Sequence, residues 1–457
     1  MSRTKTPSFV ATIPLKTSKS DELELKARFN AGQNLYNACL TEAKKRLDLV
    51  RNSNADAEAK ARPKKDKKLR LERFKAAKVA YRYSEYDLHA FATKTAKASK
   101  WIAHKLDAQA IQTIATRAFK ASEQMLFGNA KKVRFKGKSR YRSIEGKTNK
   151  QGRFKDECLV WGLKGVLINQ NDPVILHALN SPIKFCRMIR KTVKSKQGWY
   201  LQLVCEGLPY TKPKNLIGEG IVGIDLNVSG VGVVSDAGAF IKEFCVEVDK
   251  KDRLIKRLQR KNARQLRANN PQNYAADFRS SRGQKTVTKK GRVKKGSKKW
   301  NRSKRYLKTQ HRKAEIQRSQ REHRKSLHGH LVNVLLRQGN HFKMERISVK
   351  AWQKKWGEQI GYKAPGEFQS LLVRKAESAG GRVDKFSCQN TKLSQTCICG
   401  KVEKKSLSQR IHKCECGVEV KRDVLSAFLA RSVTDDHLIM SSVLNDWGRL
   451  ETAIRQA

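Results

Sequence analysis

Two apolar strands joined by a short turn are predicted by residues 218–236, GEGIVGIDLNVSGVGVVSD. Branched aliphatic residues fill both halves, and residues 227–230 interrupt them with the Asn, Ser and Gly that favour a turn. Farther along the chain, we expect a strand at 341–347, a helix at 368–379 and a strand at 382–386. This succession of strands and helices indicates an α/β layer.

Three acidic residues lie at unusual places in these elements. Asp225 interrupts an apolar strand, Glu345 ends another, and Asp423 begins the amphipathic helix predicted at 424–430. Each has a structural explanation: Asp225 could accept turn hydrogen bonds, Glu345 could pair with Arg346, and Asp423 could stabilise a helix N-terminus. Carboxylates are also the ligands that Mg²⁺ prefers, and two-metal phosphodiester hydrolysis needs several of them. The three acids are therefore candidate metal ligands.

Four of the ten cysteines crowd into twenty positions, as two copies of the pattern C-x-C-G. The candidate ligands are Cys397, Cys399, Cys414 and Cys416. Four thiolates suit a tetrahedral Zn²⁺ that is structural, because no coordination position stays open. Each pair is one residue shorter than the usual C-x₂-C, so His412 or Cys388 could replace a strained ligand. Two reduced cysteine pairs without metal are the alternative.

The charge of the chain indicates a polyanionic partner. Lys and Arg number 99 against 41 Asp and Glu, which gives a formal net charge of +58. Such a surface favours nucleic acid, whereas salt-adapted surfaces are usually acidic. A length of 457 residues suggests roughly three domains. No apolar run approaches a membrane span, and the first residues lack the apolar core of a secretion signal.

The first half of the chain reads as strands that flank a helical region. We expect a strand at 8–17, long helices with a charged connector at 51–68, and strands at 132–138, 157–169, 183–194 and 198–207. Pairing of the first strand with the later ones would make the helical region an insertion in a small β-barrel.

Candidate nucleic-acid contacts combine cations with aromatic rings. Residues 281–306 hold twelve Lys or Arg and no carboxylate, so we expect them to become ordered only against phosphate. Arg134, Phe135 and Lys136, and also Trp199 and Tyr200, could stack on bases and hold phosphates, although core packing is the more frequent role of such rings. The candidates in the basic stretch are Lys289, Lys290, Arg292, Lys294, Lys295, Lys298 and Lys299.

The segments GIDLN around Asp225, MERIS around Glu345 and KRDVLSAFLAR around Asp423 resemble the three parts of a split RuvC nuclease. With the cysteines between the second and third parts, residues 216–431 resemble TnpB, the transposon-encoded RNA-guided nuclease, and the related compact type V CRISPR effectors. The resemblance implies an RNase H-like fold in which the three acids hold two Mg²⁺ ions. Leu425 stands where TnpB proteins often carry Asn. This difference concerns the catalytic efficiency that the resemblance implies, and not the identity of the three acids.

The expected fold class is α/β with all-β and all-α parts. We expect a wedge-like β-barrel domain of residues 1–20 and 130–215 and a helical recognition domain of residues 21–129. A RuvC-like nuclease domain would follow at 216–386 and 421–457, with a zinc-binding cysteine cluster at 387–420.

The resemblance implies an RNA-guided, Mg²⁺-dependent DNA endonuclease of the TnpB type, with a guide RNA and target double-stranded DNA as partners. A compact type V effector that uses a CRISPR RNA is the alternative, since the protein sequence does not show its RNA. A guide-directed repressor without cleavage would lack a triad carboxylate, and a guide-free resolvase would need far less protein. We expect a prokaryotic cytoplasmic protein that joins the nucleoid when bound to DNA.

Overall fold

The computed structural model forms two compact units, Met1–Tyr210 and Thr211–Ala457. It describes residues 7–147, 154–155, 158–159, 172–194, 196–248, 250–282, 285–296, 299–406 and 408–457. Within these ranges, no helix combines the length and the apolar character that a membrane crossing requires.

The first unit consists of helices, a four-stranded antiparallel sheet and a separate two-stranded hairpin in its described part. Its strands are β1 (Ser8–Pro14), β2 (Ser143–Glu145), β3 (Phe154–Lys155), β4 (Cys158–Leu159), β5 (Ile183–Val193) and β6 (Lys196–Glu206). Its helices are α1 (Lys19–Arg51), α2 (Asn54–Ala61), α3 (Lys67–Ala80), α4 (Glu85–Ala98), α5 (Lys100–Lys105), α6 (Ala108–Leu126) and α7 (Pro173–Leu179).

The early strand pairs with a late one, as the sequence predicts. β1 and β6 are antiparallel, with Phe9 opposite Cys205, so α1–α6 lie between two sheet strands along the chain. Four of the described strands form an open sheet of order β1-β6-β5-β2, while β3 and β4 pair only with each other, and the predicted barrel is not confirmed. Most of the strand expected at 157–169 lies outside the described residues.

Two local expectations in this unit are wrong. The charged connector at 51–68 contains α2, because Ser53 caps a short helix by accepting from the amide of Asp56. Residues 132–138 form a loop instead of a strand. The backbone of Lys136 bonds the side chains of Gln33 and Asn37 on α1, at 2.9–3.0 Å, which supplies its hydrogen bonds without a neighbouring strand.

The second unit contains a five-stranded mixed sheet between helices. Its strands are β7 (Ile221–Leu226), β8 (Gly230–Ser235), β9 (Gly238–Glu243), β10 (Phe278–Arg282), β11 (Lys285–Lys289), β12 (His341–Glu345), β13 (Arg382–Phe386), β14 (Ile411–Lys413), β15 (Glu419–Lys421), β16 (Val433–Thr434) and β17 (His437–Leu438). Its helices are α8 (Asp252–Ala268), α9 (Lys304–Gln338), α10 (Val349–Lys363), α11 (Pro365–Ser378), α12 (Cys388–Thr391), α13 (Arg422–Arg431) and α14 (Met440–Gln456).

The sheet has the order β13-β12-β7-β8-β9. β7, β8 and β9 are antiparallel neighbours, whereas β12 runs parallel to β7 and β13 parallel to β12. Strand alternation sends Val222, Ile224 and Phe342 to one face, where they form a core with Leu335 of α9 and Phe368 of α11. The opposite face is covered by α13.

Two glycines allow α13 to lie directly on this second face. A Cβ atom at Gly223 would be 1.9 Å from the carbonyl oxygen of Ala427, and one at Gly232 would be 2.5 Å from that of Asp423. The sequence predicts α13 as an amphipathic helix, yet every residue except Asp423 is buried, because α14 and the cysteine segment cover its outer side. The two glycines thus set the height of α13 above the sheet.

The basic stretch 281–306 has structure of its own in its described part, contrary to the expectation. β10 and β11 form an antiparallel ribbon. Beyond the ribbon, Asn273 donates to the carbonyl of Lys299 at 2.9 Å, and Asn270 bonds both backbone groups of Asn301 at 2.6–2.8 Å. These buried amides replace the apolar core that the segment lacks.

Candidate metal centres

The three candidate carboxylates lie on one face of the five-stranded sheet. β7 and β12 are parallel and in register up to Ile224 and Met344, so Asp225 and Glu345 follow side by side. Gly232 lies opposite Asp225 on β8. The backbone of Asp423 packs on that glycine. Three chain segments thus bring one acid each to the same face of the sheet.

The electrostatics of the site show that these acids are close enough to repel. Burial raises the pKa of Asp225 well above its usual value, and the charges of Asp423 and Glu345 raise it further. Burial also raises the pKa of Glu345. Like charges held together in a desolvated place favour a bound cation.

The donor set fits hard divalent cations. Among the described residues, only the four clustered cysteines bring three or more candidate ligand atoms within 4.8 Å of one another, so the carboxylates are spaced more widely. A site for two ions roughly 3.5–4 Å apart does not require all ligand atoms to lie that close to one another. Asn227, which the sequence analysis missed, donates from Nδ2 to Asp225 at 3.4 Å. Its position two residues after the acid was the available signal.

Two buried cations fix the helix that carries Asp423. The ammonium group of Lys343 donates to the carbonyls of Arg431 and Val433 at 2.9 and 2.7 Å, at the C-terminal end of α13. The guanidinium of Arg431 donates to the carbonyl of Ile221 and to Asp236, each at 2.6 Å. Lys343 lies on the same strand as Glu345, so one lysine links the strand of one acid to the helix of another. A lysine inside an apolar strand was the signal in the sequence.

Replacing Lys343 by methionine is expected to destabilise the chain by about 2 kcal/mol, because two buried carbonyls lose their donor. Urea unfolding measures the change. Lys242, exposed on β9, gives the control Lys242→Met, which should unfold at the wild-type urea concentration. Equal midpoints for both variants would show that Lys343 does not secure α13.

The four clustered cysteines form a site of tetrahedral dimensions. The Sγ atoms of Cys397 and Cys416 are 3.5 Å apart and those of Cys399 and Cys414 are 3.7 Å apart. A tetrahedral zinc with Zn–S distances of about 2.3 Å separates its sulfurs by about 3.8 Å. The cluster can therefore hold a zinc ion.

The shortened spacing is accommodated by two equivalent turns. The amide of Gly400 donates to the carbonyl of Cys397, and that of Gly417 to Cys414, each at 3.0 Å. Both glycines have a positive φ, +84° and +88°, which a side chain would disfavour. Since all four sulfurs converge, neither His412 nor Cys388 is needed as a ligand.

The four thiols of the cluster differ in acidity, since burial raises the pKa of the Cys397 and Cys416 thiols above the usual value. A hydrogen bond from the backbone of Cys416 is the main cause that lowers the pKa of the Cys414 thiol to about 7. Because thiolates rather than thiols bind metals, a lowered pKa assists loading near neutral pH. Cys414 is therefore the thiol most ready to bind a metal, and the case for the whole cluster rests on the convergence of its four sulfurs.

The cysteine segment runs directly into the acid-bearing helix. The strands β14 and β15 form a hairpin that ends at Lys421, and the amide of Arg422 bonds the carbonyl of Arg410 across it at 2.9 Å. Both arginines also approach Asp423, with nitrogen–oxygen distances of 3.6 Å for Arg422 and 3.9 Å for Arg410. The position of Asp423 consequently depends on the hairpin beside the cluster.

The candidate nucleic-acid residues differ in their accessibility. Arg134 and Phe135 are exposed, and Phe135 helps to line a cavity of about 420 Å³ with lysines of α1. The ammonium group of Lys136 lies 4.1 Å from the centre of the Tyr36 ring. Burial and the nearby Arg117 lower the pKa of Lys136 to about 8.

Trp199 does not lie where a stacking contact requires it. Its side chain is only 2% exposed, and its ring meets that of Phe29 edge-on at 5.0 Å in the core of the first unit. The prediction is wrong for this residue because strand alternation turns it inward, whereas its neighbour Tyr200 is half-buried beneath the ammonium group of Lys191. In the basic stretch, Lys298 lies outside the described residues; the exposed candidates are Lys289, Lys290, Arg292, Lys294, Lys295 and Lys299.

Residues 366–429 match the family model described as Cas12f1-like, TNB domain. That segment contains the four clustered cysteines and Asp423, and over it the resemblance to TnpB and the compact type V effectors is confirmed. No curated protein matches the chain.

Two solved structures are similar at low identity. "Cryo-EM structure of the Cas12f1-sgRNA-target DNA complex" has a TM-score of 0.42 and 11% identity, covering 92% of this chain and 98% of that chain. "Cryo-EM structure of CRISPR-Cas12f Ternary Complex" has a TM-score of 0.28 and 13% identity, covering 89% and 81%. With both TM-scores below 0.5, these structures do not establish a shared arrangement of the units.

Proposed function

We propose that the chain, whose segment 366–429 is of the Cas12f1-like TNB type, is an RNA-guided DNA endonuclease of the TnpB kind. The observation that carries the proposal is the meeting of Asp225, Glu345 and Asp423, from three distant segments, on one sheet face. A structural role for all three is disfavoured, because burial and mutual repulsion raise the pKa of Asp225 rather than lower it.

The fold of the second unit supports a RuvC-type nuclease domain. Three antiparallel strands followed by two parallel ones carry the first two acids at neighbouring strand ends, and the third acid begins a helix on the same face. We propose an RNase H-like domain of residues 216–386 and 421–457 around the cysteine segment 387–420. In the first unit we propose a recognition domain of residues 21–129 and a wedge-like domain of residues 1–20 and 130–215.

The chain's own groups have distinct parts in this proposal. The three carboxylates would hold two Mg²⁺ ions, which supply Lewis-acid activation when bound. Asn227 orients Asp225 through its hydrogen bond. Arg410, exposed next to Asp423, offers a cation to a phosphate of the substrate. Lys343 and Arg431 keep α13 in place.

The partners follow from charge and from the relatives. A net charge of +58 needs phosphate backbones to offset it. One similar structure is described as a complex with an sgRNA and target DNA, and we propose a guide RNA and double-stranded DNA as partners here. The choice between a transposon-derived RNA and a CRISPR RNA depends on the RNA itself. Sequencing the RNA that co-purifies with the chain, and assaying cleavage with and without it, tests this proposal.

The raised pKa of Asp225 gives a pH-dependent prediction for the metal-free protein. The folded chain retains a proton that the unfolded chain releases near pH 4. Stability therefore falls as the pH rises from about 4 through the raised pKa, and Asp225→Asn should be the more stable protein at pH 8. Urea unfolding at pH 5 and pH 8 measures the difference in the free energy of unfolding between the two proteins, and this difference should be smaller at pH 5.

Addition of Mg²⁺ should make the wild type more stable than Asp225→Asn. Saturation at a hundredfold excess over the dissociation constant stabilises the wild type by about 2.7 kcal/mol, and Asp225→Asn should gain much less. An equal effect of Mg²⁺ on both proteins would remove Asp225 from the proposed ligands.

A further inference from the structure

We propose that the ribbon of β10 and β11, residues Phe278–Arg282 and Lys285–Lys289, docks in the major groove of double-stranded DNA and reads base edges there. We call it the basic ribbon. The inference deepens the proposed function and rests on it in one respect, that double-stranded DNA is a partner.

The basic ribbon projects from the unit without covering anything. Its described side chains are exposed on both faces, apart from the half-buried Ser280. Even its large apolar members are open, Phe278 at 52% and Val287 at 46%. An isolated two-stranded ribbon is marginally stable, so a ribbon exposed on both faces is better explained by a partner than by packing.

One face of the ribbon carries only hydrogen-bonding side chains. In the antiparallel register, Arg279 lies opposite Thr288 and Ser281 opposite Thr286. Because cross-strand partners share a face and alternate residues repeat it, these four point the same way. An arginine side chain can donate two hydrogen bonds to a guanine. Serine and threonine hydroxyls can bond to either type of base pair, and the threonine methyl group can contact the thymine methyl group. This set suits base edges better than phosphates alone.

The dimensions of the ribbon match a B-form major groove. Five-residue strands extend about 16 Å, which is about five base pairs along the duplex. The major groove is about 12 Å wide and accepts a two-stranded ribbon. The major groove of A-form RNA is too narrow for side chains to read, so the shape favours DNA over double-stranded RNA.

The base of the ribbon is built to hold it rigidly. Arg267 of α8 pairs with Asp277 and donates to the carbonyl of Gly291 at 2.8 Å. The amide of Gly291 donates to the same aspartate at 2.9 Å. Asp277 is the one carboxylate between Asn270 and Ala314, and it is used in this anchor. Within this stretch of sequence, the lysines and arginines thus have no second acidic residue as a local partner.

Binding to a library of fluorescent duplexes with a randomised centre tests the proposal, with the full chain in the Asp225→Ala background so that cutting plays no part. The wild-type ribbon should select guanine-containing sequences. Arg279→Ala should weaken binding to them about 5- to 100-fold and leave the other duplexes nearly unaffected. The matched control Lys290→Ala, an exposed cation beside the ribbon, should weaken all duplexes equally and reduce the salt dependence by about one ion.

Other outcomes would overturn the proposal. If Arg279→Ala and Lys290→Ala had the same effect on all duplexes, the ribbon would contact phosphates only and would not read bases. If double-stranded RNA were selected equally well, the ribbon would not bind in the major groove of DNA. The double variant Ser281→Ala/Thr286→Ala gives a second reading of the same face, and circular dichroism confirms that each variant is folded. Since base selection and cleavage are separate readouts, either proposal can fail while the other stands.

Discussion

Asp225→Ala is expected to abolish DNA cleavage while leaving nucleic-acid binding intact. Loss of a shared metal ligand removes several kcal/mol of stabilisation from the transition state, and about 4 kcal/mol already lowers the rate about a thousandfold. Asp423→Ala should have the same effect, because its backbone packs on Gly232 opposite Asp225. Neither acid carries a positive charge that could bind phosphate, so their loss should not weaken binding. Cleavage of a labelled target and binding of the same target measure the two properties side by side.

A surface carboxylate provides the control. Glu451 lies on α14 and pairs with Arg455 at 2.7 Å, so Glu451→Ala should cut at the wild-type rate. Retained cutting by either aspartate variant would refute the assignment of the site, and loss of binding together with cutting would show that the variants are misfolded.

Cys414→Ser is expected to release zinc and to lower the unfolding temperature of the chain by about 10 °C. A structural zinc contributes roughly 10–16 kcal/mol to the stability of small metal-dependent folds. Loss of one ligand removes much of this binding free energy. If about 3–4 kcal/mol is lost overall, a unit of this size shifts by about 2–4 °C per kcal/mol. Metal analysis and calorimetry measure both effects.

Cys388→Ser is the matched control, because Cys388 is exposed and does not belong to the four clustered sulfurs. Its zinc content and unfolding temperature should equal those of the wild type. Cys414→Ser should also cut poorly, since the hairpin that follows the cluster positions Asp423. Unchanged zinc in Cys414→Ser would show that the cluster does not bind the metal through this residue.

The sheet of the second unit was predictable because its signals are local. The apolar runs before Asp225 and Glu345, and the turn after residue 226, locate β7, β8 and β12 from sequence alone. The convergence of the acids came from the resemblance, since no local pattern tells which strands become neighbours. The roles of Gly223 and Gly232 depend on a helix some 200 residues farther along the chain, and strand patterns cannot show such a contact.

The failures have identifiable causes. Residues 132–138 have strand composition but find their hydrogen bonds on side chains of α1. Trp199 was predicted to stack together with its neighbour Tyr200, whereas adjacent residues of a pleated strand point to opposite faces. The basic stretch after Ser281 gains order from the amides of Asn270 and Asn273 rather than from apolar packing, a device that hydrophobic periodicity does not detect.

The order of the three acids along the chain has a consequence for biosynthesis. A ribosome adds about 5–20 residues each second, so the segment bearing Asp225 emerges at least about ten seconds before the one bearing Asp423. During that interval the nascent protein has only two of the three proposed metal ligands. Any product truncated before α13 would also lack the helix that covers one face of the sheet, so its apolar partners there would be exposed.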